Sequence, residues 1–307
     1  MNIGILGNGF VGNSIAFGFS PTHEVRIYDK DPKRSMNTIE EALDSDYVFI
    51  AVPTPMNSDG SINLDVVYSA LAEVEEKNTK DNIIILKSTM VPGTMEKLIK
   101  QYPNLNLVFN PEFLTERTAK LDFLTQARMI LGGKKIHTSK VRQLFEERFM
   151  HCYVIETDTT TAELIKYMNN VFFASKVSIM NEFKQVCDKL GADWDIALKG
   201  FAADQRIGDS HLNVPGPDGK FGFGGSCFPK DINAFITLAK MHDIELHTIK
   251  GAWATNLEVR PERDWEKLKG RAVVTRDIAQ IELDFTNTTQ TDSHCLEHNI
   301  DRYLQTR

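Results

Sequence analysis

Cysteine and long apolar runs are both scarce in this chain, and each shortage excludes something. Only four cysteines occur in 307 residues, Cys152, Cys187, Cys227 and Cys295. None forms a CxxC pair or joins histidines at zinc-ligand spacing, so no metal site is expected. Thiols scattered this widely point to a reducing compartment, and a cytoplasmic protein is the expectation. No stretch approaches the roughly 20 apolar residues that span a bilayer, so no membrane association is expected. The apolar start, MNIGILGNGFVG, lacks a basic leader and is interrupted by four glycines, unlike a secretory signal. Blocks of Lys or Arg are missing too, and the net charge is −7, which argues against nucleic acid as a partner. A nucleotide ligand stays open, because backbone amides and one or two cations can hold its phosphates.

What is present looks like a soluble globular protein of about two domains, with 42% hydrophobic and 25% charged residues. The first half alternates short apolar runs with helix-compatible stretches. Strands are expected at 2–6, 24–28, 47–52, 83–86, 106–109, 129–131 and 152–155, and helices between them, as at 64–77 and 139–148. Most of these runs are continuously apolar rather than alternating, which suits strands covered on both faces. The pattern predicts an α/β fold, a Rossmann-like doubly wound parallel sheet. From Thr160 to Leu190 there is neither Gly nor Pro, and the run stops at Gly191. A helix that long, with apolar residues on more than one face, is expected between domains or subunits. A Gly/Pro-rich loop, Val214–Gly225, precedes another helix from Pro229 to about His242. The organisation that follows is a dinucleotide-binding domain over 1–158, a helical substrate and dimerisation domain over 159–262, and a short tail over 263–307.

Gly7-Asn8-Gly9-Phe10-Val11-Gly12 follows the first expected strand and opens a helix, and Asp29 ends the second strand. Glycines there permit a tight turn and let pyrophosphate approach the backbone at a helix N-terminus. An acid at the end of the second strand accepts bonds from ribose hydroxyls and repels a 2′-phosphate, so NAD is expected over NADP. Lys30, Lys33 and Arg34 work against that preference.

Lys166 and Asn170 stand four apart on one helical face and could together hold a sugar oxygen. On spacing alone, a solvated lysine and a surface asparagine are the commoner outcome. Cys227 carries more information. It sits in FGFGGSCFPKD (Phe221–Asp231), with Pro229 suited to the first helical turn. The helix dipole and Lys230 should both favour the thiolate. A buried structural thiol is the ordinary alternative, and it is the expectation for Cys152 and Cys187.

FGFGGSCFPKD closely resembles the catalytic-cysteine motif of the UDP-glucose/GDP-mannose dehydrogenase family. Other family signatures occur in order: AVPTP at Ala51–Pro55, the turn at Asp59–Gly60, Lys87-Ser88-Thr89 with Pro92-Gly93-Thr94, NPEFLTE at Asn110–Glu116, AELIKYMNN at Ala162–Asn170, and DQRIG at Asp204–Gly208. The resemblance covers residues 1 to about 274. It implies NAD-dependent oxidation of a nucleotide sugar, UDP-glucose first among candidates, to the uronic acid. Cys227 would be the nucleophile, with Lys166, Asn170 and Asp231 at oxyanion and acid/base positions, Glu112 as base for thioester hydrolysis and Thr89 positioning water. Cofactor contacts implied are Gly7, Gly9, Phe10, Val11, Gly12, Asp29, Arg34, Thr54, Thr89, Glu116 and Lys230. Substrate contacts implied are Phe113, Leu114, Thr115, Lys166, Asn170, Phe221, Gly222 and Gly224, with Arg206 reaching the substrate of a homodimer partner.

The chain departs from the family pattern at Thr115 and Arg117 and in the added segment Pro215–Lys220. Its tail is also shorter than the family's usual third domain, which predicts a nucleotide cleft left partly open and 290–307 poorly ordered. Two other readings fit parts of the pattern: a one-step β-hydroxyacid dehydrogenase and a non-catalytic nucleotide-binding homologue. Cys227 in its loop and NPEFLTE speak against the first, and the intact catalytic set against the second.

Overall fold

The computed structural model describes residues 1–275. Seven strands appear where the apolar runs lie: β1 (Asn2–Leu6), β2 (Glu24–Tyr28), β3 (Tyr47–Ile50), β4 (Ile83–Leu86), β5 (Asn106–Phe109), β6 (Arg128–Gly133) and β7 (Tyr153–Thr157). They form one sheet in the order β2-β1-β3-β4-β5-β6-β7, parallel throughout except at β5–β6. The Ile-Ile-Ile-Leu of β4 is wholly buried, as a strand with both faces covered must be. Alternate residues feed opposite layers. Phe49 joins Ile3, Ile5, Ile85 and an aromatic group around Phe19, whereas Val48 and Ile50 join Ile84, Leu86 and Leu71 on the other face.

The helices between strands are α1 (Phe10–Phe19), α2 (Ile39–Leu43), α3 (Asp65–Lys77), α4 (Thr94–Gln101), α5 (Ala119–Thr125) and α6 (Lys135–Arg148). α1 to α4 each return the chain to the edge where the next parallel strand starts, whereas α5 leads into the antiparallel β6. The carboxyl ends of β1 to β5 therefore release Gly7, Asp29, Ala51, Lys87 and Asn110 along one rim, where α/β sheets bind ligands.

After β7 comes α7 (Thr159–Leu190), 32 residues or about 48 Å long at 1.5 Å per residue. Asp158 caps its start by accepting from Thr161 N at 2.8 Å, and Gly191 ends it in the left-handed conformation (φ +66°) that glycine adopts freely. α8 (Trp194–Ala202), α9 (Phe228–Met241) and α10 (His247–Val259) complete the helical part, with Tyr167, Val171 and Ala174 of α7 packed among Phe223, Ile232 and Ala252. Along its other side α7 exposes Leu164, Met168, Phe172, Ile179, Phe183, Val186 and Leu190. These residues recur at intervals of three, four or seven, which places them in one stripe.

The chain then returns to the first domain: Met56 N donates to Ala272 O at 2.9 Å and Val274 N to Met56 O at 3.0 Å. Arg271 pairs with Glu116 at 2.6 Å. Arg271 and Glu116 both line a cavity at the rim of the sheet, so this stretch of the tail sits against that cavity. The expectation for 290–307 lies outside the described residues, as does Cys295. Among the described residues no helix is long and apolar enough to cross a membrane, and no cluster of three metal-ligating side chains occurs.

Candidate active site

A cavity of about 750 Å³ opens at the rim of β1–β5 and is closed on one side by the start of α9. Its wall carries Gly7, Gly9, Phe10, Val11, Asp29, Arg34, Thr54, Thr89, Glu112, Glu116, Cys227 and Lys230. The fold thus gathers nearly all the expected cofactor residues with the expected nucleophile. Gly12 stands behind the wall, where a Cβ would meet Gly7 O at 1.9 Å. Gly7 has φ +99°, and a Cβ there would meet Ala51 O at 2.6 Å, whereas Gly9 has open space before it. That is a cradle in which a dinucleotide backbone can approach main-chain amides. Asp29 is fixed at the end of β2 by amide donors from Asn8 (2.7 Å) and Asp31 (2.8 Å). The neighbouring cations are engaged elsewhere, Arg34 with Asp31 at 3.5 Å and Lys30 with Ser69 at 3.0 Å.

Behind this cavity lies a buried polar cluster. Lys166, 2% exposed, donates to the Glu112 carbonyl and, at 3.1 Å, to its carboxylate. The other Glu112 oxygen accepts from Leu114 N at 2.7 Å. Asn170, one turn along α7, donates to Asp231, which also accepts from Lys230. Lys166 and Asn170 are therefore core residues, not the surface pair that spacing alone suggests. Burial pulls the Lys166 ammonium down, but Glu112, Asp231 and Cys227 outweigh it and hold the group above its ordinary value. It stays charged.

Cys227 is the N-cap of α9, with Pro229 in the first turn. Its titration runs opposite to the sequence expectation. Burial pushes the thiol up, Glu112 and Asp231 add to that, and Lys166 and Lys230 do not compensate. Two carboxylates and the loss of water outweigh a helix terminus and nearby cations. Iodoacetamide should accordingly label Cys227 in the free protein at a rate that keeps climbing beyond pH 9. A plateau below pH 8, read by peptide mass mapping, would contradict this charge balance.

The loop ahead of Cys227 is held by side chains whose role no motif signals. Asn181 Oδ1 accepts from Gly222 N at 3.0 Å, and Asn256 Oδ1 accepts from Phe223 N at 2.7 Å. Asp264 accepts from Gly225 N at 3.3 Å. Arg260, 2% exposed, binds Asp264, Phe221 O and Asp218 of the added segment. A Cβ at Gly222 or Gly224 would come within 2.4 Å of Asn256 or Asp264. Phe113 lies beneath the Arg128 and Lys166 cations, at 4.5 and 5.4 Å, and Thr115 N donates to Asp122. Arg206 is not drawn in: its side chain is 89% exposed and pairs with Asp204. Lys87, a cavity residue the motifs left without a role, is buried beside Asn110.

Two family models match the chain, the NAD binding domain of the UDP-glucose/GDP-mannose dehydrogenase family over residues 33–149 and its central domain over 160–258. A UDP-glucose 6-dehydrogenase of Rickettsia conorii is 33% identical over 305 residues, covering 87% of this chain and 69% of that protein. The enzyme AglM of the same name from Haloferax volcanii is 32% identical, covering 88% and 73%. The solved UDP-glucose dehydrogenase of Pyrobaculum islandicum superimposes with a TM-score of 0.76 at 29% identity, over 84% of this chain and 68% of that one. The dinucleotide for which the cradle is shaped is NAD. With the cradle, the buried cluster and these matches agreeing, the chain belongs to the UDP-glucose/GDP-mannose dehydrogenase family of NAD-dependent oxidoreductases.

Proposed function

We propose that this protein oxidises a nucleotide sugar at C6 to the uronic acid, with UDP-glucose as the substrate and Cys227 carrying the intermediates. The observation that supports it most is the placement of Cys227 and Glu112 on the wall of the NAD cavity, with the buried Lys166–Glu112 and Asn170–Asp231 pairs directly behind them. The similarity to UDP-glucose 6-dehydrogenases at 32–33% identity favours the uridine sugar. Residues 1–158 then serve the cofactor and 159–262 the sugar, in the cytoplasm.

NAD, when bound, accepts a hydride at each of two oxidations. The Lys166 ammonium and the Asn170 amide are the donors for the sugar C6 oxygen, whose proton passes to the Asp231 carboxylate, which also holds Asn170 in place. The resulting aldehyde takes up the Cys227 sulfur at carbon while the thiol proton passes to the former carbonyl oxygen, giving a thiohemiacetal that can lose its C–H hydride and its hydroxyl proton in turn. The thioester so formed is cleaved by water that gives its proton to Glu112, and the sulfur leaves as thiolate and takes up a proton. The buried Thr89 hydroxyl at the end of β4 places that water. Backbone at Phe113–Thr115 and the Phe221–Gly224 loop border the sugar nucleotide. Against a panel of UDP-glucose, GDP-mannose and UDP-N-acetylmannosamine, two NADH per uronic acid should appear with UDP-glucose, at a kcat/KM at least tenfold above the others. No NADH from any of the three would remove the proposal.

The apolar stripe of α7 we assign to a second copy of the chain, which would bring Arg206 to the partner's substrate. Light scattering at micromolar concentration should give twice 34.7 kDa. Phe172→Asp with Phe183→Asp should give the monomer, since burying two carboxylates in such a seam costs several kcal/mol. A wild-type monomer with full activity would refute this assignment.

A further inference from the structure

Lys87 is a buried cavity cation that the reaction outlined above does not use. It leaves β4 beneath the catalytic rim, 3% exposed, and donates to Asn110 Oδ1 at 2.8 Å and to Pro111 O at 3.5 Å. Asn110 is itself fixed across the sheet, its amide donating to Ile130 O at 2.8 Å. The peptide segment that leads into Glu112 is thus gripped from below by Lys87, while Lys166 grips Glu112 from α7. Among the described residues no carboxylate lies within ion-pair distance of Lys87, so its only strong partner is neutral.

We propose that Lys87 is a positioning residue for Glu112 in the hydrolytic half of the reaction, and that its charge governs how readily Glu112 takes a proton from water. The inference rests on the assignment of Glu112 as base made above. The charged groups facing Lys87 are Glu112 from the segment after β5 and Lys166 from α7, with Cys227, Lys230 and Asp231 bordering the same cluster from α9. A positive charge beside Glu112 stabilises its negative charge, and base catalysis discharges Glu112. Neutral Lys87 therefore favours hydrolysis, while its hydrogen bonds to Asn110 and Pro111 hold the geometry in either state. Burial brings the ammonium down to about 7, with Glu112 opposing and Lys166 assisting that fall. The switch then operates in the ordinary working range. For a base lowered in this way, the neutral fraction rises from about one-eleventh at pH 6 to about ten-elevenths at pH 8.

The test follows the Cys227 thioester by rapid quench and intact mass, using the full chain with NAD and UDP-glucose. Its hydrolysis rate should rise about tenfold from pH 6 to pH 8 in the wild type. Lys87→Arg keeps a donor and fixes the charge, so its rate should stay flat within twofold at the wild type's acid-side value. Lys87→Met fixes neutrality and should be flat as well. A purely structural lysine would scale the rate and leave the pH limb in place, and a limb that persists in either variant overturns the proposal. So does a flat wild-type profile, which needs no variant. No thioester at any pH would instead overturn the covalent mechanism, and this inference with it.

Discussion

Cys227→Ala should cut uronic acid formation by at least about a thousandfold, on the scale of losing a covalent nucleophile. The wild type should release two NADH per uronic acid. The variant should yield at most one per sugar, with the aldehyde as its only oxidised product. The reason lies in what each oxidation requires. An alcohol carries a C–H that can be lost directly once its oxygen is held by Lys166 and Asn170, and those side chains are untouched by the change. The aldehyde must first become a tetrahedral adduct, which the sulfur provides. Stability should be little altered, because Cys227 is an N-cap without a side-chain capping bond. Product analysis by mass spectrometry, with NADH counted by absorbance, decides the matter. Uronic acid made at near wild-type rate would overturn the covalent route.

Lys166→Met should weaken both the fold and the chemistry. The substitution leaves the Glu112 carboxylate, 8% exposed, without its cation. Breaking a buried pair from one side costs about 3–5 kcal/mol. Removal of an oxyanion donor costs about a hundredfold to a thousandfold in the first oxidation. Glu112→Gln in the Lys166→Met background should recover part of the stability, because the orphaned charge is gone, but none of the rate. Urea unfolding and single-turnover NADH formation separate the two effects. A loss below about 1 kcal/mol together with a rate within threefold of wild type would remove Lys166 from the mechanism.

Much of the fold was readable from one physical signal. Strands covered on both faces are written as unbroken apolar runs, and 83–86 lies where its run lies. The third strand was expected to reach 52 but ends at Ile50, because the chain leaves the sheet there to shape the rim. The antiparallel placement of β6 was not readable at all, since a buried run has no mark of direction. The same division holds at the site. The glycines and Asp29 carry their geometry in their spacing, and the place of Gly7, Gly9 and Asp29 in the cavity follows the fingerprint. Cys227 was located through its motif, but the sign of its titration depends on Glu112 and Asp231, which are distant along the chain or face away in a linear reading. Asn181 and Asn256 brace the cysteine loop from helices, and Arg260 from the residue just after α10, where a lone polar residue has no distinguishing neighbour. Lys87 offered a faint hint, a lysine directly after four buried aliphatics.

The long helix α7 works as a single lever. Glu163 near one end receives the amides of Gly93 and Met95, Lys166 and Asn170 hold the reacting cluster, and Asn181 fixes the glycine loop. Those four fixings span 18 residues, about 27 Å of rod at 1.5 Å per residue, with neither Gly nor Pro to serve as a joint. Without a Gly or Pro there is no built-in site for a sharp kink between these fixings. The apolar stripe runs along the opposite side of that same rod. Whatever seats there packs on the same unbroken rod that carries Lys166, Asn170 and Asn181.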